Sequence, residues 1–149
     1  MYKNTLYKLP KDILIELVCK IFDNISIKEL GELYKKKCID KIDKYKEILT
    51  NTYHIEDLEI SFWRGVISVT TENFHLKIDI VDYTIADKND KWFSCENLQG
   101  LLERIHTIIS ERFSEDKIIQ IINSIQTIIT AYKDKKEVKK FIINNNLYI

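Results

Sequence analysis

The side chains with the widest chemical repertoire are thinly spread in this chain. Its three histidines, His54, His75 and His106, fall on different predicted elements. Its three cysteines, Cys19, Cys38 and Cys95, show neither CxxC nor CxxH spacing. A structural zinc site needs four such ligands at short paired spacings, so no metal centre and no cofactor is expected. His75 and Asp79 share a strand face, but four residues at strand rise separate them by about 13 Å. They are too far apart to act together as an acid–base dyad. No GxGxxG, GxxxxGK[ST], GxSxG or HExxH run occurs, and Gly31, Gly65 and Gly100 stand alone, leaving no glycine-rich phosphate cradle. The adjacent carboxylates Glu56/Asp57 and Glu115/Asp116 read as solvated or helix-start charge. No catalytic residue is assigned, and the expectation is a protein that is not an enzyme.

Binding chemistry is the better prospect. Two lysine clusters occur, Lys35-Lys36-Lys37 and the set Lys133, Lys135, Lys136, Lys139 and Lys140. A nucleic-acid site usually adds arginines for bidentate contacts and aromatics for stacking. Here the net charge is zero, from 23 basic and 23 acidic residues, and only 3 of the basic residues are arginine. The aromatic candidates for exposure, Trp63, Trp92 and Phe93, lie in residues 51–100, which carry 4 basic and 9 acidic groups. The lysines therefore read as solvated helix faces, and nucleic acid is not the expected partner. Trp63 stands beside Arg64-Gly65 near a hairpin tip; a core tryptophan is the first reading, and the ring, if exposed, would anchor a protein partner.

These residues must be positioned by a chain of 149 residues, 45% apolar and 31% charged, enough to bury one sizeable core in a single domain over 1–149. Its 27 Ile and 20 Lys against 2 Ala and 1 Pro reflect A/T-rich codons more than physics. An odd, scattered cysteine set points to reduced thiols. The N-terminus has no apolar leader, and no stretch reaches the roughly 18 apolar residues that a membrane span requires. A cytoplasmic protein without membrane contact is expected.

Pro10 fits the first turn of a helix running to about Phe22, with an apolar face of Ile13, Leu14, Leu17, Val18, Ile21 and Phe22. Ser26 and Glu29 form a capping box that opens a second helix over about 27–49. Its stripe is Leu30, Leu33, Tyr34, Cys38, Ile42, Tyr45 and Leu49. The period then changes to 2. Leu58, Ile60 and Phe62 alternate with polar residues, as do Phe74, Leu76, Ile78 and Ile80, and Val66–Thr71 is rich in β-branched residues. Short turns at Arg64-Gly65 and at Thr71–Asn73 predict a three-stranded antiparallel meander. Residues 82–94 read as a loop. Helices are predicted over about 95–112, over 115–132 capped by Ser114, and over 135–144 opened by an Asp134/Glu137 capping box. The predicted class is α+β: an N-terminal helical pair, the three-stranded meander and a C-terminal three-helix bundle.

Within that bundle, Ile118–Tyr132 runs for fifteen residues without a charge and holds seven isoleucines. Near all-round apolarity predicts a central core helix. The alternative is a homo-oligomer seam with Ile125 at its centre.

The opening Leu9-Pro10-Lys11-Asp12-Ile13-Leu14, continued by Leu17 and Ile21, resembles the start of an F-box, and Ser26-Ile27-Lys28-Glu29-Leu30 resembles that family's second helix start. Ile27 stands where proline is common, and the family's later tryptophan is absent. F-boxes are short helical modules that bind the adaptor subunit of cullin-type ubiquitin ligases. The resemblance implies that Leu9, Pro10, Ile13, Leu14 and Leu17 contact such an adaptor, leaving residues 50–149 to hold a substrate. Such openings in Ile/Lys/Asn-rich chains also resemble proteins of giant DNA viruses of amoebae, which implies a viral protein in the host cytoplasm. The function expected from the whole reading is a non-enzymatic protein–protein interaction module. Its candidate contacts are the F-box-like residues, Trp63 and Ile125; a structural homo-oligomer is the next reading and nucleic-acid binding the last.

Overall fold

A computed structural model of the chain describes residues 27–87 and 91–144, with Lys11, Ile13 and Ile15. These last three are helical; Leu9, Pro10, Leu14 and Leu17, like the Ser26 cap, lie outside the described residues. Helix α1 spans Ile27–Thr50. Six strands follow: β1 Tyr53–Ile55, β2 Leu58–Trp63, β3 Val66–Thr70, β4 His75–Asp79, β5 Thr84–Ala86 and β6 Trp92–Ser94. Two helices complete the order, α2 over Leu98–Ser110 and α3 over Glu115–Asn144. The chain divides into two compact units, one of residues 1–47 with 131–149 and the other of residues 48–130.

The second unit is built on the sheet, a sequential antiparallel meander in the order β1-β2-β3-β4-β5-β6. The expected three-stranded meander is thereby corrected to six strands. The three strands that alternation reveals are β2, β3 and β4. The missed ones are only three residues each, with too few apolar positions to display a period of 2. Thus β5 and β6 occupy what reads as a loop over 82–94, and β1 precedes a two-residue turn without glycine in which Glu56 takes φ +56°.

Register sorts the side chains into two faces. Ile60, Val69 and Leu76 form one row of aligned partners, and Phe62, Ile67, Ile78, Ile85 and Phe93 form the next. Except for the terminal Phe62 and Phe93, these side chains are fully or almost fully buried. Leu101, Ile105 and Ile109 of α2 are buried as well, as are Ile121 and Ile125 of α3, and α2 packs against β5. At roughly 1.5–3 kcal/mol per buried aliphatic side chain, these two layers supply most of this unit's stabilisation. The other face carries Ser61, Ser68, Lys77, Thr84 and Ser94, all at least partly open to solvent.

Turn chemistry fixes the hairpins. Arg64 and Gly65 both take positive φ, +47° and +84°, as the two-residue mirror-image turn between β2 and β3 requires. A side chain at Gly65 is excluded twice over, by that φ and because its Cβ would lie 2.8 Å from Val81 Cγ2. Between β4 and β5, the Asp79 carboxylate accepts from the amides of Val81 and Asp82 at 2.9 and 3.0 Å.

The first unit contains an antiparallel helical pair. The Tyr34 ring of α1 lies 6.1 Å from the Phe141 ring of α3, and the Tyr45 hydroxyl donates to the Asp134 carboxylate. Burial, reinforced by that carboxylate, pushes the Tyr45 hydroxyl up to about 12. Asp134 is the reason a second correction is needed. The expected helices 115–132 and 135–144 are one continuous helix, so the C-terminal region holds two helices instead of three. With no glycine or proline after Gly100, nothing interrupts α3, and an Asp-x-x-Glu spacing caps a helix only where the preceding residue has left it. The Ser114 cap is seen: its hydroxyl accepts from the Lys117 amide at 3.4 Å and its carbonyl from the Ile118 amide at 2.9 Å.

Candidate functional site

Polar and aromatic side chains converge at the β6 end of the sheet, within the unit of residues 48–130. Asn97 opens α2 by accepting the Gly100 amide at 2.9 Å, which sets the helix immediately after β6. Between α2 and β4–β6 lies a cleft of about 260 Å³ whose walls include Phe74, Ile85, Phe93, Arg104, Ile108 and Arg112. Asp87 and Glu111 also line it. A second hollow, continuous through Phe93 and Arg104, runs along β6 past Cys95 and Asn97 to Gly100 of α2.

Aromatic rings organise both. The Arg104 guanidinium carbon sits 5.2 Å from the centre of the Phe93 ring, and that of Arg112 sits 5.5 Å from the centre of Phe74. Phe74 meets Phe113 edge-on at 5.2 Å. The turn between α2 and α3 thus clasps the turn between β3 and β4. Each cation lies within the roughly 6 Å at which a ring quadrupole attracts it.

The β6 strand itself is the outermost of the sheet, and Trp92 and Phe93 are 45% and 41% exposed. The Cys95 amide donates to the Tyr83 carbonyl at 2.8 Å, which makes that residue pair a hydrogen-bonded one. Bonded and non-bonded pairs alternate in an antiparallel ladder. The pairs Thr84/Ser94 and Ala86/Trp92 are therefore non-bonded, so the main-chain N–H and C=O of Trp92 and Ser94 point away from β5.

The residues singled out in the sequence are distributed unevenly about this region. Trp63, at the β2–β3 tip, is 71% exposed, with the Arg64 guanidinium 5.1 Å from its ring. It shares the open face of the sheet with Trp92 and is not a core residue. Ile125, the residue named for a partner seam, is fully buried within the chain. The uncharged run around it is two-sided after all, since Gln120, Asn123, Gln126, Thr127 and Thr130 are exposed. Ile13, one of the five residues the F-box resemblance assigns to adaptor contact, is fully buried as well. Among the described residues no group of three or more His, Cys, Asp or Glu could hold a metal ion. None of their helices is long and apolar enough to cross a membrane. Sequence reasoning missed Phe74, Arg104 and Arg112. The signal for two of them was the scarcity of arginine: two of the chain's 3 arginines meet at one cleft.

No family model, curated protein or solved structure matches the chain.

Proposed function

We propose that the protein is an interaction module that receives an extended segment of a partner protein along β6, in the hollow beside α2. One observation carries this reading: β6 is an outer strand with two outward-pointing sets of main-chain donors and acceptors, flanked by exposed Trp92 and Phe93. An added strand gains its affinity from such main-chain groups and its selectivity from neighbouring pockets. The hollow lined by Cys95, Asn97 and Arg104 supplies a pocket on the helix side. Aromatic rings at the centre of a contact are the side chains that most often dominate binding.

The test is selection of binders from a displayed random-peptide library by the full chain, followed by affinity measurement against two variants. Ser94→Pro removes an outward N–H on β6, where an edge strand tolerates proline. His54→Pro does the same on β1, whose two-residue turn makes Ile55/Leu58 the bonded pair and leaves His54 facing outward. Selected peptides should lose at least about tenfold in affinity for Ser94→Pro, roughly the worth of one or two main-chain hydrogen bonds. They should bind His54→Pro unchanged. Equal binding to Ser94→Pro and wild type, with both folded by circular dichroism, would end the reading.

A further inference from the structure

The cleft next to β6 has chemistry that strand docking does not use. Arginine is rare here, yet Arg104 and Arg112 both line this one cavity. Each guanidinium rests on a phenylalanine ring, Phe93 and Phe74 respectively. A cation–ring contact uses none of the guanidinium N–H donors as a hydrogen-bond partner and leaves them available. Among the described residues no carboxylate pairs with either group, although Asp87 and Glu111 line the same cleft. Two exposed guanidiniums lying over aromatic rings, with no carboxylate partner among the described residues, are an arrangement suited to an incoming oxyanion.

Charge and size narrow the class. Two guanidiniums against two lining carboxylates leave the cleft close to neutral, which favours a singly charged ligand over a phosphate dianion. A planar carboxylate also matches the guanidinium fork in a bidentate fashion. The remaining walls are mostly apolar, Phe74, Phe93, Ile85 and Ile108, joined by Asn73 and His75. A volume of about 260 Å³ falls just below the range of about 300–1,000 Å³ typical of drug-sized pockets, so the guest is ring-sized. We propose that this cleft is a binding site for a small aromatic or branched aliphatic monocarboxylate, its carboxylate held by Arg104 and Arg112 and its apolar body lying against Phe74 and Phe93. The proposal does not rest on strand docking on β6, although the two sites share Phe93 and Arg104.

Titration of the full chain with benzoate, benzamide and phenyl phosphate, read by NMR at the arginine Nε–Hε resonances, tests the proposal. Benzoate has roughly nine non-hydrogen atoms, which at the efficiency usual for small ligands places its Kd on the order of 10 mM. Saturable shifts at Arg104 and Arg112 are expected with benzoate, and weaker binding with phenyl phosphate. Benzamide has the same shape without the charge and should bind about tenfold or more weakly. Arg104→Gln and Arg112→Gln should each cost benzoate a similar factor, and His54→Pro on β1 should leave it unchanged. Benzamide binding as well as benzoate would overturn the proposal in the unmodified chain. So would an absence of saturable shifts, or benzoate affinity retained in both folded glutamine variants.

Discussion

Strands β1 and β6 close the two ends of the same sheet, and each is three residues long, yet their surroundings differ in kind. The β1 hairpin is held from several sides. Its Tyr53 hydroxyl donates to the Ile48 carbonyl of α1 at 3.0 Å, and Ile55 is buried. The Lys117 ammonium reaches Asp57 at 3.0 Å and Glu56 at 3.5 Å in the β1–β2 turn while lying 5.3 Å from the centre of the Phe113 ring. His54 and Glu59, 3.8 Å apart, add a polar pair to its outer surface. All three residues of β6, by contrast, are exposed, two of them aromatic. Charged side chains and covering contacts are the usual defences of a sheet edge against unwanted pairing. The β1 edge has both, whereas on β6 the cations Arg104 and Lys91 lie over the Phe93 ring and Trp92 is left open, which is why we propose strand recognition there.

The comparison is sharpest in paired substitutions. Ile55→Ala on β1 should destabilise the fold by about 2–5 kcal/mol, the usual cost of emptying a buried isoleucine site. Phe93→Ala on β6 removes a larger side chain and should cost only about 1 kcal/mol, because the ring is already partly solvated. Denaturant melts of both variants check this, and a Phe93→Ala penalty equal to or above that of Ile55→Ala would mean that β6 is as well anchored as β1. Tyr53→Phe should lose about 0.5–1.5 kcal/mol, the net worth of one hydrogen bond. Chemical denaturation against wild type reads it, and an unchanged midpoint would remove Tyr53 from the clamp.

The smallest effect is one of pH. The hydrogen bond from Lys117, assisted by a backbone amide and the ammonium charge, holds the Asp57 carboxyl below its ordinary value. Its stabilisation is therefore present above the usual carboxylate range and lost as pH falls through the depressed value. Lys117 is raised in turn, chiefly by the same hydrogen bond, so its share is complete below the ordinary ammonium value and lost as pH rises through the elevated one. Amide protection factors in β1 should fall at the acidic limit while those of β6 hardly move. Parallel loss at both edges would show that the carboxylate–ammonium contact does not distinguish them.

How legible these edges were depends on length. Strands β2, β3 and β4 each repeat apolar residues often enough to declare their period, and helix α1 announces itself by a stripe from Tyr34 to Leu49 whose Tyr34, Cys38, Tyr45 and Leu49 are all buried. Three-residue strands such as β5 offer a single isoleucine, Ile85, and are defined only by the ladder around them. The exposed aromatics Trp63, Trp92 and Phe93 were visible as candidates because they sit among polar residues. The cleft was not, since Phe74, Phe93, Arg104 and Arg112 come from separate segments that only the closed meander and the turn after α2 bring together. The continuity of α3 was hidden for the opposite reason: Asp134 mimics a helix start, and its true partner, Tyr45, lies on another helix.

Cys38 offers a different use of the same burial. It is wholly enclosed, and burial pushes its thiol up to about 11. At neutral pH roughly one such thiol in ten thousand is the reactive thiolate, even before access is considered. A soluble alkylating reagent can reach it only when the packing around α1 opens, so the rate of Cys38 alkylation, followed by mass spectrometry, is a clock for that opening. The half-buried Cys95, beside β6, supplies the reference against which the clock is read.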